Sequence, residues 1–291
     1  MPFLRFLRHL RLQFQLVLAP VFLLGYLLTG AEPDAKFIAL FFLVHVCLYG
    51  GATAYNSYWD QDEGPVGGMK RPPPAGKWEL WGGLGLQLVA VGAMGWWGWR
   101  MGLAAAAMVA MGIAYSHPRW RLKGRPLASL LTVTAGQGVL PLLMGLEAGG
   151  WERLDLDGWL LGGVLCATAL IITGFYPLTQ VYQIEEDRRR GDRCFAVKWG
   201  AAHVFTVARW LVGLGMGFIV ALVAAGVFQP FWIWSIPLAY MAFWSVLHLW
   251  KRRFFRQNTY ENHNWAFAIS LVFALAFWAF IAVEYAVHSA L

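Results

Sequence analysis

The sequence predicts an all-α integral membrane protein, with nine transmembrane helices around a central cavity. Three observations predict it. Hydrophobic residues make up 59% of the 291 and charged residues only 13%, about half the roughly 25% charged content of an ordinary soluble domain. The apolar residues fall in long runs, as helices dissolved in lipid require. The chain also carries 17 Trp, whose indole favours the membrane interface. At about 20 residues per crossing, nine spans use roughly 180 residues and leave short loops. The whole chain, 1–291, reads as one transmembrane domain.

The first segment, 12–29, follows Arg5, Arg8 and Arg11. That start has the charged region of a signal peptide, but the apolar stretch continues from Leu12 to Leu28 and more spans follow, which favours an uncleaved helix. The second segment, 37–58, runs into an acidic cluster. The third and fourth, 79–97 and 99–116, are parted by a short turn at Gly95, Gly98 and Arg100; one kinked helix is the alternative. The fifth, 127–146, holds the polar set Thr132, Thr134 and Gln137, which suits an acceptor pocket or interhelical hydrogen bonds. The remaining segments are 158–182, 203–226, 231–250 and 265–288, and interior residues such as Pro141 and Pro237 are tolerated in membrane helices. Cys47, Cys166 and Cys194 form no CxxC pair, so neither a disulfide framework nor a zinc site is expected.

Basic residues orient the chain. Nineteen Lys and Arg collect on one side of this layout, in the N-terminal stretch and the loops around 70–77, 119–125, 188–198 and 251–256. Lys36, Arg100 and Arg153 lie on the other, and Arg209 sits just inside the seventh segment. By the positive-inside rule the N-terminus is cytoplasmic and, after nine spans, the C-terminus is on the opposite side; the cell inner membrane is the expected location. The net charge of +7 therefore records orientation, and no nucleic-acid partner is expected.

The basic loops are not uniform. The second segment ends in Asn56, Asp60, Asp62 and Glu63, and the sixth in Glu185, Glu186 and Asp187, whereas the loops after the fourth and eighth, 119–125 and 251–256, have no carboxylate. Acidic and basic ends alternate at four-helix intervals, which suggests a four-helix pseudo-repeat followed by a ninth helix.

Asn56 and Asp60 are one helical turn apart on one face, and Gln183 and Asp187 repeat the spacing. Oxygen ligands at helix ends are what Mg2+ uses when substrate phosphates and waters complete its shell. The candidate metal ligands are Asn56, Asp60, Asp62, Glu63, Gln183, Glu186 and Asp187. Solvated acids at a membrane surface are the plain alternative, weakened by the matched pair of clusters. Lys70, Arg71, Arg121, Lys123 and Arg188 are the basic partners that a diphosphate needs, although the positive-inside rule alone also places Lys and Arg there.

Three stretches resemble the UbiA-type intramembrane prenyltransferase superfamily. NSYWDQDEGPVGGMKRPPPAG, from Asn56 to Gly76, matches its first acidic motif. Tyr115, Ser116, Pro118, Arg121, Leu122 and Lys123 match its second loop. QIEEDRRRGDRCFAVKWG, from Gln183 to Gly200, matches the second acidic motif. The departures are specific: Gly64 stands where the first motif has a further acid, Gln183 where the second motif begins with Asp, Arg119 where a second Pro is usual, and Cys194 where Thr is frequent.

The resemblance implies transfer of an isoprenyl group from its diphosphate to a lipophilic, usually aromatic, acceptor, with Mg2+ as cofactor. It implies Asp60, Asp187 and Lys123 as catalytic residues. Tyr55, Tyr58, Trp59, Tyr115 and Tyr182 flank the motifs as cation-stabilising or plain interface aromatics, and Tyr115, Tyr182 and Gln137 are candidate pocket residues. The expected partners are a prenyl diphosphate, the acceptor and membrane lipid. A cyclase of the same fold, which uses a prenyl diphosphate without an acceptor, is the alternative; a transporter would need ionisable residues deep in its helices, and here the acids crowd at helix ends.

Overall fold

The computed structural model describes residues 2–290. Among them the only strand-like pairing is a bridge between Val66 and Met69. Seven helical stretches are long and apolar enough to cross a membrane: Phe3–Leu27, Ala35–Asp60, Pro126–Gly149, Gly158–Arg189, Phe195–Ala224, Trp232–Arg256 and Thr259–Ser289. Each overlaps a predicted segment. The predicted third and fourth segments are helices too, Lys77–Trp97 and Trp99–Ser116, parted at Gly98 where the backbone is extended (ψ 138°). Gly and Ala are frequent in both, and neither is among the seven stretches apolar enough to cross a membrane by length and composition.

The chain folds into two compact units. The first comprises Met1–Lys123 and Leu140–Leu154. It contains α1 (Pro2–His9), α2 (Leu12–Leu27), α3 (Ala35–Asp60), α4 (Lys77–Trp97) and α5 (Trp99–Ser116). Its core is Phe22, Leu40, Val44, Leu48, Met94 and Met144, all almost fully buried. Asp34 caps α3 by accepting from the Phe37 amide at 2.7 Å, as short polar side chains do at helix starts. Within α3 the stretch Leu43–Gly50 winds as a π-helix, which shifts the register of the residues that follow it.

One close approach fixes the helix that carries the first acidic motif. A Cβ on Gly51 of α3 would lie 2.6 Å from the Gly83 carbonyl oxygen, and one on Gly83 of α4 would lie 2.6 Å from that of Gly51. Only glycine at both positions lets the two backbones touch, the small-residue packing typical of helices in lipid.

The second unit comprises Gly124–Val139 and Asp155–Leu291. Helix α6 (Pro126–Gly149) begins in it and ends in the first unit; its middle, Thr134–Val139, is also π-helical. Helix α7 (Gly158–Phe175) is followed by the 3-10 turns Tyr176–Thr179 and Val181–Gln183, then by the short α8 (Ile184–Arg189). The expected continuous sixth segment to 182 is thus broken after Phe175, next to Pro177, whose missing N–H cannot continue a helical ladder. Helix α9 (Phe195–Ala224) starts upstream of the expected 203 and kinks at Gly200, where φ is +78°. Helices α10 (Trp232–Arg253) and α11 (Thr259–Ser289) follow, the latter opened by a reciprocal cap between Asn258 and Glu261.

Candidate active site

The first cluster is built where α3 ends. Asn56 and Asp60 share one face, and their partners come from the end of α5 and the segment after it. The Asn56 side-chain amide donates to Ser116 Oγ at 3.0 Å. The Lys123 ammonium lies 2.6 Å from Asp60 Oδ1, and the Arg121 guanidinium 3.8 Å from the same oxygen. The Asp60 side chain is 5% exposed and that of Lys123 11%. In so dry a place a carboxylate interacts far more strongly with its cations than at a wet surface. Trp59 completes the junction, with its ring 4.8 Å from that of His117 in edge-to-face contact.

Asp62 and Glu63 follow directly after the helix end. Asp62 Oδ2 is 3.6 Å from Arg11 Nη2, which also donates to Ser57 Oγ at 3.0 Å. Both acids line a half-open cavity of about 460 Å³ together with His9, Ser57, Gln61 and Pro72–Ala75. Of the acids predicted as one ligand set, Asp60 meets Lys123 and Arg121 whereas Asp62 meets Arg11.

The loop 61–76 is pinned at several points. Gln61 donates from its side chain to the Tyr58 and Ala75 carbonyls, at 2.8 and 3.0 Å. Gly67 and Gly68 have φ of +51° and +84°, and Val66 and Met69 exchange both backbone hydrogen bonds at 2.9 Å, so the loop doubles back in a tight turn that needs positive φ at both central residues. At the far end Glu79 accepts from the Gly76 amide at 2.6 Å and from Arg5 at 2.9 and 3.1 Å. Lys70 and Arg71 follow the turn, both exposed.

The second cluster lies on α8 and its approach. Glu186 is buried and pairs with Arg190. Exposed Glu185 pairs with Arg188 at 2.9 Å. Asp187 Oδ2 accepts from the Cys194 thiol at 3.2 Å. Burial, and next the Asp187 carboxylate, push the Cys194 thiol up to about 12, so it stays protonated and donates. Gln183 ends a 3-10 turn directly before α8, so Gln183 and Asp187 do not share one regular helix. Tyr182 packs edge-on against His263 at 5.1 Å. Thr134 and Thr173 share a hydrogen bond of 2.6 Å, the interhelical role weighed for the polar residues of this segment. Gln137 is half-buried in the π-helical stretch, and Tyr115 is half-buried beside Ser116.

The model of the UbiA prenyltransferase family matches residues 17–281. The chain belongs to the UbiA prenyltransferase family. Comparison with curated proteins finds no match. Among solved structures, a UbiA homolog from Archaeoglobus fulgidus bound to GPP and Mg2+ is similar with a TM-score of 0.65 at 17% identity, over 96% of this chain and 99% of that one. A digeranylgeranylglyceryl phosphate synthase is similar with a TM-score of 0.63 at 16% identity, over 99% and 98%. The apo UbiA homolog from Aeropyrum pernix K1 gives 0.62 at 20%, over 94% and 98%.

The UbiA membership accounts for the three motifs and leaves several residues to the structure alone. Ser116, Arg190 and Cys194 stand within the motifs, but nothing in the sequence pairs them with Asn56, Glu186 and Asp187. Arg11 is the clearest omission. In the sequence it is one more basic residue ahead of an apolar run, and only the fold brings it to Asp62.

Proposed function

We propose that this UbiA-family protein transfers an isoprenyl group from a prenyl diphosphate to a lipophilic acceptor, aromatic in the simplest case, at the membrane, with Mg2+ as cofactor. The observation that carries the proposal is the dry junction of Asp60 with Lys123 and Arg121 at 2.6 and 3.8 Å. The likeness to a homolog bound to GPP and Mg2+, and to the same homolog bound to DMAPP and Mg2+, supports the substrate class.

The donor chemistry fits Mg2+. Asn56 and Asp60 are oxygen donors one turn apart, and among the described residues no three His, Cys, Asp or Glu converge as a cage. A cation that keeps its waters and shares the substrate's phosphates needs no such cage. Asn56 and Asp60 are the ligands proposed in the first unit, with Asp62 and Glu63 acting through water, and Gln183, Glu186 and Asp187 are the candidate ligand set of the second unit, taken by itself. When bound, Mg2+ supplies positive charge to the leaving diphosphate.

The chain's own residues do the rest. Lys123 and Arg121 stabilise the charge that develops on the bridging oxygen as the C1–O bond breaks and pyrophosphate departs with the electron pair. Lys70 and Arg71, both exposed, receive the diphosphate from solvent at the first unit, and exposed Arg188 is the candidate diphosphate contact of the second. Exclusion of water protects the allylic cation from capture as an alcohol; Tyr115 in the first unit, and Tyr182 and Gln137 in the second, are the candidate pocket residues of their own units. The acceptor carbon then bonds to C1 and releases one proton.

The less apolar helices α4 and α5 are read as two further crossings, which makes nine and places the N-terminus in the cytoplasm by the basic loops. The test is incubation of the purified protein with Mg2+, prenyl diphosphates of several lengths and a lipid extract, followed by mass spectrometry. A prenylated lipid that requires the extract supports transfer; a cyclic hydrocarbon formed without it would replace transfer by cyclisation.

A further inference from the structure

We propose that Arg11 is a positioning residue for the first acidic motif: by holding Asp62, Ser57 and the Gly67 turn together, it sets the loop that presents Asp62, Lys70 and Arg71 to the diphosphate. The proposal rests on the diphosphate reading above.

Arg11 stands at the start of α2, 51 residues before Asp62 in the chain, yet its side chain is 8% exposed and its Nη2 lies 3.0 Å from Ser57 Oγ and 3.6 Å from Asp62 Oδ2. Ser57 in turn donates to the Thr53 carbonyl at 2.9 Å, which ties the guanidinium to the body of α3. The arginine stem runs across the glycine turn. A Cβ on Gly67 would lie 2.8 Å from Arg11 Cδ and 3.1 Å from its Nη1, and Gln13, two residues on, reaches the Gly67 carbonyl at 3.4 Å. The glycine is required twice, by its φ of +51° and by the side chain that fills the space of its missing Cβ.

The backbone adds a second, independent observation. Among the described residues, the non-glycine residues with positive φ are Arg11 at 48°, Gln61 at 47° and Arg121 at 38°. All three belong to this one neighbourhood: Arg11 pairs with Asp62, Gln61 lies between Asp60 and Asp62, and Arg121 pairs with Asp60. Left-handed backbone at residues that do not favour it persists only where the surroundings enforce it, and such residues gather at functional sites. Arg11 has no need of that conformation as a surface cation obeying the positive-inside rule. A guanidinium fork that serves a hydroxyl and a carboxylate at once does need a fixed stem.

The test uses the full chain in detergent, as wild type and as Arg11→Met, Arg11→Lys, Asp62→Asn and the Arg11→Met/Asp62→Asn double variant. Two readings are taken: hydrogen exchange of loop 61–76 without Mg2+ or substrate, and affinity for a non-hydrolysable prenyl diphosphate with Mg2+. Arg11→Met should accelerate exchange at the Val66 and Met69 amides, leave α4 and α5 protected, and weaken the analogue about tenfold, the size of effect of one lost charge-assisted contact. Arg11→Lys should recover part of both, and the double variant should add little to Arg11→Met, as residues acting as one unit do. Wild-type exchange and affinity in Arg11→Met, or full additivity with Asp62→Asn, overturns the positioning role. Should Arg11→Met not fold, Arg11→Lys and Asp62→Asn decide by the same criteria. Asp60→Asn serves as the separate control on the reading beneath: unchanged analogue affinity there overturns the diphosphate assignment, while the exchange result still judges Arg11.

Discussion

The ammonium of Lys123 stands 2.6 Å from Asp60 Oδ1, with both side chains nearly dry. The two come from different helical segments, the end of α3 and the 3-10 turn Leu122–Gly124 after α5. Without substrate, each neutralises the other, which keeps a buried charge on either residue from standing alone. On the proposed function, a diphosphate and its cation would offer both a replacement partner, with Asp60 as a residue that would hold the metal and Lys123 as one that would hold the phosphate.

The first prediction separates these two roles. Lys123→Met should weaken binding of a non-hydrolysable prenyl diphosphate by about tenfold or more, given roughly 1.5–3 kcal/mol for a hydrogen bond to a charged group. Isothermal titration with Mg2+ present measures it. Unchanged affinity removes Lys123 from the diphosphate site.

A second prediction concerns the end of the motif-one loop. Glu79 is fully buried and accepts from Arg5 and from the Gly76 amide. Glu79→Ala leaves those donors without an acceptor, and each such loss costs about 1–3 kcal/mol. The thermal midpoint in detergent should fall by several degrees. A midpoint equal to the wild type's contradicts the anchoring role.

Packing supplies the third. Gly51→Val places side-chain atoms where the Gly83 carbonyl oxygen would be 2.6 Å from Cβ. The helices must part, and with them the face carrying Asn56 and Asp60. Size-exclusion chromatography should show aggregation or loss of the folded peak, whereas Gly217→Val, where a Cβ meets nothing within 4 Å, should elute normally.

The fourth uses the thiol beside Asp187. With its pKa raised to about 12, Cys194 is protonated at pH 8 as well as buried, and the thiolate is the species that alkylates. Iodoacetamide at pH 8 should spare Cys194 in the native protein and reach it after denaturation in SDS. Peptide mass spectrometry distinguishes the three cysteines, and rapid native labelling of Cys194 would contradict the contact with Asp187.

The membrane class, the helix positions and the motif residues were legible because each rests on local sequence: apolar runs, spacing of four, and basic loops. Even the weak turn at Gly98 was visible, since glycine there separates two apolar runs. Partner choice was not legible. Nothing local tells that Asp60 meets Lys123 while Asp62 meets Arg11, because both pairings join residues far apart in the chain. The break after Phe175 was hidden by an apolar run that continues through Leu178, with Pro177 inside a stretch where lipid-facing helices tolerate proline. The π-helical stretches Leu43–Gly50 and Thr134–Val139 have no composition of their own and arise from packing.

The most direct test of the central claim is pyrophosphate release from a prenyl diphosphate by wild type and by Asp60→Asn, each purified in detergent and supplied with Mg2+ and a lipid extract. The account predicts release in the wild type that stops with EDTA and is lost in Asp60→Asn while the variant elutes as a folded protein. Equal release by the two proteins would contradict it.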